Sequence, residues 1–384
     1  MSVIAALALT APGLTLGAAL SKSTRDLPCA SFPVTTRRMG RNFSAMGPMI
    51  SAARPARDKD YHAAEVFRMA ERRRILIVGA GAIGGLYAAY LAKVAEVAVL
   101  DTNRAHVDAI RKDGLKLTGC TESATKLAAF ASAAEMGKRS FDAAIILVKS
   151  QATEAAFASI RPALESRPVL VTFQNGMGNE ELLARISDLE VAHGVSFEAA
   201  RYDGPGRVHH LVHGEGSWIG PARGKVESIA WLGELLTRSG LPTKVVADPR
   251  GAIWGKFIFN SVMNPIGAIV QGVNAARYEV PEMRALIDDM AAECIRVAEA
   301  LGIRLEFDPM YLVKKIRAAE TPLTTHAGSM AQDIEAGRET ELEAMTGYIV
   351  RKAKEIGVPV PVTESVYRMA KGVEYAARLK HESN

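Results

Sequence analysis

The sequence predicts an α/β domain built on a parallel sheet, followed by an all-helical domain. Three observations carry this. Arg74-Ile75-Leu76-Ile77-Val78 runs straight into glycines spaced G-x-G-x-x-G (Gly79, Gly81, Gly84), which open an apolar helix through Leu86, Tyr90 and Leu91. Further apolar strands alternate with helices, and such alternation implies crossover connections and a doubly wound parallel sheet. From Asp248-Pro249-Arg250-Gly251 onward the pattern is helical. The expected divisions are an extension over residues 1–70, an α/β domain of the Rossmann type over 71–247, and a helical domain over 248–384.

The glycine spacing has a physical logic. Gly79 permits the tight turn, Gly81 lets a pyrophosphate approach the backbone, and Gly84 lets the helix pack close to the strand. Gly79, Gly81, Ala82, Ile83 and Gly84 therefore form the expected cofactor loop, with free N–H groups and the positive dipole end of the helix facing the phosphates. Glu96-Val97-Ala98-Val99-Leu100-Asp101 reads as the second strand. Asp101 at its end suits a free ribose 2′-hydroxyl and repels a 2′-phosphate, whereas Arg104 pairs with such a phosphate if the loop turns it inward.

A helix over Ala105–Lys112 ends at Gly114. Phe141–Val148, Pro168–Phe173 and Val191–Phe197 are continuous apolar runs, as buried parallel strands should be. The first ends at Lys149, the second at Gln174-Asn175-Gly176. Arg207–His213 and Ser217–Ile219 read as short strands joined by Gly214-Glu215-Gly216 into a polar hairpin. His209 and His213 would share a strand face there. No Asp, Cys or Glu at ligand spacing completes the set, so no metal site is expected.

In the second domain Met283, Leu286, Ile287, Met290, Cys294, Val297, Ala298 and Leu301 fit one helical face. A later helix is expected from Ser329 to Glu355, broken at Gly337, and a last one from near Thr363. The segment Trp254–Val270 is almost wholly apolar, yet Lys256, Asn260 and Asn264 recur every four residues along one stripe. A buried ammonium and two amides are costly unless paired or facing a wet cavity. Lysine also shifts its pKa readily when desolvated, which suits proton transfer. A partly exposed helix edge is the alternative.

Composition narrows the class. Apolar residues make up 48% and charged residues 23% of 384, as in an ordinary globular protein. No run approaches the ~18 apolar residues of a membrane span. Cys29, Cys120 and Cys294 are too dispersed for a disulfide framework or a zinc site, which fits a cytoplasmic protein. The net charge of +5 is uneven: residues 1–74 carry +7 and the remainder −2, so the folded body offers no nucleic-acid surface. Met1–Arg57, with one acidic and seven basic residues, resembles an organellar transit peptide. The alternative is a translation start at Met46, Met49 or Met69.

Several motifs occur together and in order: the glycine loop, Val148-Lys149-Ser150, Phe173-Gln174-Asn175-Gly176, Gly204-Pro205-Gly206-Arg207-Val208, Trp254-Gly255-Lys256 with Asn260 and Asn264-Pro265, Asn274, Ser329-Met330-x-Gln332-Asp333, and Glu339-Thr340-Glu341. The chain from about Arg74 to Val373 thereby resembles the ketopantoate reductase family. The resemblance implies reduction of 2-dehydropantoate to (R)-pantoate in pantothenate biosynthesis, by hydride from a nicotinamide cofactor. It implies Lys256 as the catalytic lysine that protonates the carbonyl oxygen, and Glu341 as the carboxylate holding substrate and lysine. Asn175 is implied beside the nicotinamide and the reacting oxygen, and Lys149 on the cofactor side. Asn260, Asn264 and Asn274 are implied to bind substrate, and Ser329 to receive its carboxylate. Ser329 with Gln332 also has the S-x-x-Q spacing of a capping box, and Glu341 would then lie on a helix among other glutamates.

The cofactor implied is NADPH, with NADH as the alternative, because Asn103 stands where the family more often has arginine. Another small 2-keto acid as substrate, or a non-catalytic nicotinamide-binding sensor, are the rival readings. No membrane or nucleic-acid partner is expected, and a homodimer through the apolar helices is possible in principle.

Overall fold

Residues 75–78 are Ile, Leu, Ile and Val, and all four are buried. Only a central strand covered on both faces tolerates such a run. In the computed structural model, which describes residues 72–214, 216–323 and 327–382, this strand sits in the middle of an eight-stranded sheet. The extension expected over residues 1–70 lies outside the described residues.

The strands are β1 (Arg74–Val78), β2 (Glu96–Leu100), β3 (Leu115–Gly119), β4 (Ser123–Thr125), β5 (Ala128–Phe130), β6 (Ala143–Ile146), β7 (Val169–Thr172), β8 (Val191–Ser196), β9 (Ala199–Tyr202), β10 (Arg207–Val212), β11 (Ser217–Arg223) and β12 (Thr243–Val245). The main sheet runs β5-β2-β1-β6-β7-β8-β11-β12. Its pairings are parallel except β8 with β11. The chain winds outward from β1 to β2 and β5, then returns past β1 to β6. That reversal opens a crevice at the carboxyl ends of β1 and β6, where this class of sheet binds its ligands.

A second sheet, β4-β3-β10-β9, lies outside what strand periodicity suggested. It also corrects the expected hairpin. β10 pairs with β3 and β9, whereas β11 pairs with β8 and β12. The Gly214 N–H donates to Glu198 and the Ser217 N–H to the Pro242 carbonyl, which ties the two strands to different sheets.

The helical part is organised around Arg250–Ile269, which packs against the helices Pro281–Ala300, Ser329–Glu335 and Pro361–Glu382. Ile258, Val262 and Ile266 of the first helix meet Ile287, Met290, Cys294 and Val297 in one fully buried cluster. Pro265 lies inside the first helix and lacks the N–H that the Ser261 carbonyl would accept. The Thr346 hydroxyl donates to that carbonyl instead, at 2.8 Å. An unpaired buried carbonyl costs about 1–3 kcal/mol, so this bond keeps the proline tolerable.

The single broken helix expected over Ser329–Glu355 is two helices, Ser329–Glu335 and Thr346–Ile356, separated by a longer turn segment. Gly337 at φ 65° ends the first. Thr340 then anchors the segment by donating from its N–H and hydroxyl to Glu374, at 2.8 and 2.6 Å. Glu341 therefore lies in this turn segment and not on a helix. Cys294 is buried and free. Among the described residues no helix is long and apolar enough to cross a membrane.

Candidate active site

The glycine loop joins β1 to the helix Ala82–Leu91 at the switch point. Gly79 has φ 90°, and a Cβ there would meet the Val148 nitrogen at 2.8 Å, so the loop rests directly on the β6 end. A Cβ on Gly84 would stand 1.8 Å from the Gly79 carbonyl oxygen; the helix can approach the loop only with glycine there. A Cβ on Gly81 would meet nothing within 4 Å, and no side chain caps this helix. Open space beside uncapped N–H groups is what a pyrophosphate requires. The loop thus fits a dinucleotide.

Asp101 ends β2 as expected, but both its oxygens are occupied. Oδ2 accepts from the Ala80 N–H and Oδ1 from the Asn103 N–H, each at 2.8 Å. Its carboxylate ties the second strand to the glycine loop. Arg104 begins the helix Arg104–Asp113; it is 64% exposed and only loosely paired with Glu135 at 3.7 Å, so it is free to turn toward a ligand. Asn103 caps this helix by accepting from the His106 N–H. His106, missed in the sequence, is buried: the Gly206 N–H donates to its Nδ1, so its Nε2–H donates to the Ala80 carbonyl at 2.8 Å. It fixes the glycine loop against Gly204-Pro205-Gly206.

The strand ends of β6 and β7 meet the helical part in a polar cluster. Lys149 pairs with Asp333 at 2.5 Å and lies 4.0 Å from Glu341. The Ser150 hydroxyl lies 3.0 Å from Glu341 Oε1 and 3.1 Å from the Asn175 carbonyl, while the Ser150 N–H also donates to Glu341. Asn260 donates to the Asn175 side chain at 3.4 Å. Asn264 approaches the Met345 sulfur. Gln174 donates to the Val148 carbonyl and the Thr153 hydroxyl, locking the floor beneath Asn175.

Lys256 projects from the same helix one turn before Asn260 and donates to the Ser196 carbonyl at 2.5 Å. Burial pushes its ammonium down to about 8, against the opposing pull of the Glu198 and Glu341 carboxylates. A lysine so placed gives up its proton far more readily than one in water.

Asn274 and Ser329 are positioned by other contacts. Asn274 is buried and accepts from Arg277, which also donates to the Met263 carbonyl. Ser329 is exposed, and the capping box expected there does not form: Gly328 is the N-cap and no side chain caps the helix. Asp333 and Ser150 stood inside quoted motifs without a role.

The histidine reading is also corrected. A bulge between His210 and Val212 reverses the strand's alternation, so His210 and not His209 approaches His213. The turn between β8 and β9 brings Glu198 to both, 2.8 Å from His210 Nε2 and 3.1 Å from His213 Nδ1. His209 lies instead by Thr118.

A dinucleotide loop at the switch point of the sheet, in a chain whose helical part carries a desolvated lysine and amide groups, defines an oxidoreductase of the NAD(P)H-dependent class. Comparison with known proteins agrees. Residues 75–224 match the model for ketopantoate reductase PanE/ApbA, and residues 248–374 match that for its C-terminal part. The 2-dehydropantoate 2-reductase of Pyrococcus horikoshii is 32% identical over 302 residues, covering 78% of this chain and 97% of that protein. The crystal structure of a PanE/ApbA family ketopantoate reductase from Ralstonia eutropha JMP134 superposes with TM-score 0.70 at 30% identity, covering 79% of this chain and 99% of that one. A D-mandelate dehydrogenase solved with NADH and anilino(oxo)acetate shares the fold, at TM-score 0.70 and 24% identity, covering 79% and 99%. The chain belongs to the ketopantoate reductase family.

Proposed function

We propose that the protein reduces 2-dehydropantoate to (R)-pantoate with NADPH, in pantothenate biosynthesis. The observation that supports this most is Lys256, a desolvated ammonium with its pKa near 8, on the same helix stripe as Asn260. Bound nicotinamide supplies the hydride. The protein's own residues do the rest. As negative charge grows on the carbonyl oxygen, the Lys256 ammonium stabilises it and donates its proton. Glu341, fixed by Ser150, holds the lysine charged and the substrate oriented. Asn175, Asn260 and Asn264 offer donors and acceptors to a small hydroxy-keto acid, and Asn274 and Ser329 complete its binding at the far side.

Lys149 stands at the carboxyl end of β6, where a cofactor passes. For the 2′-phosphate, the observation favouring NADPH is Arg104, exposed beside an Asn-capped helix start. One observation supports a different 2-keto acid: Phe197, Trp218 and Phe307 pack edge-to-face or tilted against one another beside Lys256, with ring centroids 5.5 to 6.4 Å apart. Loss of nicotinamide absorbance with purified protein tests both. Rapid turnover of 2-dehydropantoate, faster with NADPH than NADH, is the expected result. Turnover only of phenylglyoxylate, an aromatic 2-keto acid, would assign the pocket to aromatic substrates. Folded protein that binds cofactor and turns over neither would leave the sensor.

A further inference from the structure

His210 and His213 have no part in the proposed hydride and proton transfer, and we propose that with Glu198 they form a binding site for one divalent transition-metal ion of the zinc class. Glu198 Oε2, His210 Nε2 and His213 Nδ1 converge with all three ligand atoms within 4.8 Å of one another. Ligands around a tetrahedral zinc ion at ~2.0–2.1 Å stand about 3.3 Å apart. The observed separations from Glu198 Oε2 are 2.8 and 3.1 Å, a few tenths of an ångström short of that spacing.

The surroundings are built for this. His210 and Glu198 are buried almost completely, whereas His213 is 40% exposed and gives the ion its entry. Two of the ligands, His210 and Glu198, are oriented by a hydrogen-bond partner on their far side, as metal ligands usually are. His210 Nδ1 lies 3.1 Å from the Thr121 hydroxyl, which in turn lies 2.6 Å from the Tyr90 hydroxyl. The other oxygen of Glu198 accepts the Gly214 N–H at 3.1 Å. The His213 ring stacks on Tyr90 at 6.1 Å. The Val212 carbonyl lies 2.9 Å from His210 Nε2. Two imidazoles and one carboxylate select zinc or cobalt over magnesium or calcium, which demand oxygen ligands.

Such an ion ties the β8–β9 turn to the end of β10. Ser196, whose carbonyl receives the Lys256 ammonium, begins that same turn. The site is therefore a clamp on the segment that seats the lysine.

The test uses the full chain stripped with a chelator and titrated with Co²⁺, followed by displacement with Zn²⁺. One equivalent of Co²⁺ should give visible d–d absorption, and Zn²⁺ should abolish it. His213→Ala should weaken the affinity at least thirtyfold, and Glu198→Gln should do the same, while His209→Ala leaves it unchanged. Absence of stoichiometric binding overturns the proposal. So does binding that survives both His213→Ala and Glu198→Gln in folded protein.

Discussion

At the scale of single residues, the chemistry depends on where burial puts a proton. Lys256 is held near 8 because desolvation outweighs the carboxylates Glu198 and Glu341. A general acid works in its protonated form, so reduction should proceed below that value and fall as pH rises through about 8. The pH profile of kcat/KM with saturating cofactor measures this. Lys256→Ala should lower kcat by about 10²–10⁴-fold and leave cofactor binding intact, read by quenching of nicotinamide fluorescence. A profile flat from pH 6 to 10, or a variant with normal kcat, removes Lys256 from the role of acid.

At the scale of elements, the two glycines of the cofactor loop do different jobs, although the motif presents them alike. Gly84 serves packing: its Cβ would overlap the Gly79 carbonyl at 1.8 Å. Gly81 has no packing role, because its Cβ would meet only open space, and the role proposed for it is to let the dinucleotide approach. Gly84→Ala should therefore cost more than ~3 kcal/mol of stability, a large drop in the denaturation midpoint. Gly81→Ala should leave that midpoint unchanged and weaken dinucleotide binding tenfold or more. Equal effects on stability would refute the division.

The same scale shows where sequence reading stops. The apolar runs of β1, β6 and β7 were legible because strands buried on both faces leave an unbroken signature. Strands β3, β4, β5, β9 and β12 were not, because short, partly exposed strands carry little periodicity. The parity of His209 and His213 failed for a sharper reason: one bulge, invisible in the sequence, reverses every face beyond it.

At the scale of the whole molecule, the segment 333–345 is the joint between the sheet's carboxyl edge and the helices. Asp333 meets Lys149, Glu341 meets Ser150, and the Met177 N–H donates to the Ala344 carbonyl at 2.9 Å. Lys149 is 43% exposed, so its ion pair contributes at most ~1 kcal/mol to stability. The larger duty proposed for it is on the cofactor side, at the carboxyl end of β6. Lys149→Met should raise the cofactor KM about tenfold, the equivalent of a lost charge-assisted bond, with little change in kcat or in the urea midpoint. A variant losing stability while keeping its cofactor KM would make Lys149 a strut.

The sequence by itself determined the parallel sheet, the glycine loop, the helical second half and the stripe Lys256–Asn260–Asn264, because each is a local pattern written in consecutive residues. Only the tertiary structure decided that Glu341 leaves its helix to reach Ser150, that Asp101 spends both oxygens on backbone N–H groups, and that Glu198 joins two histidines. Those contacts join residues far apart in the chain, and what brings them together is the burial of apolar surface elsewhere. No local pattern records it.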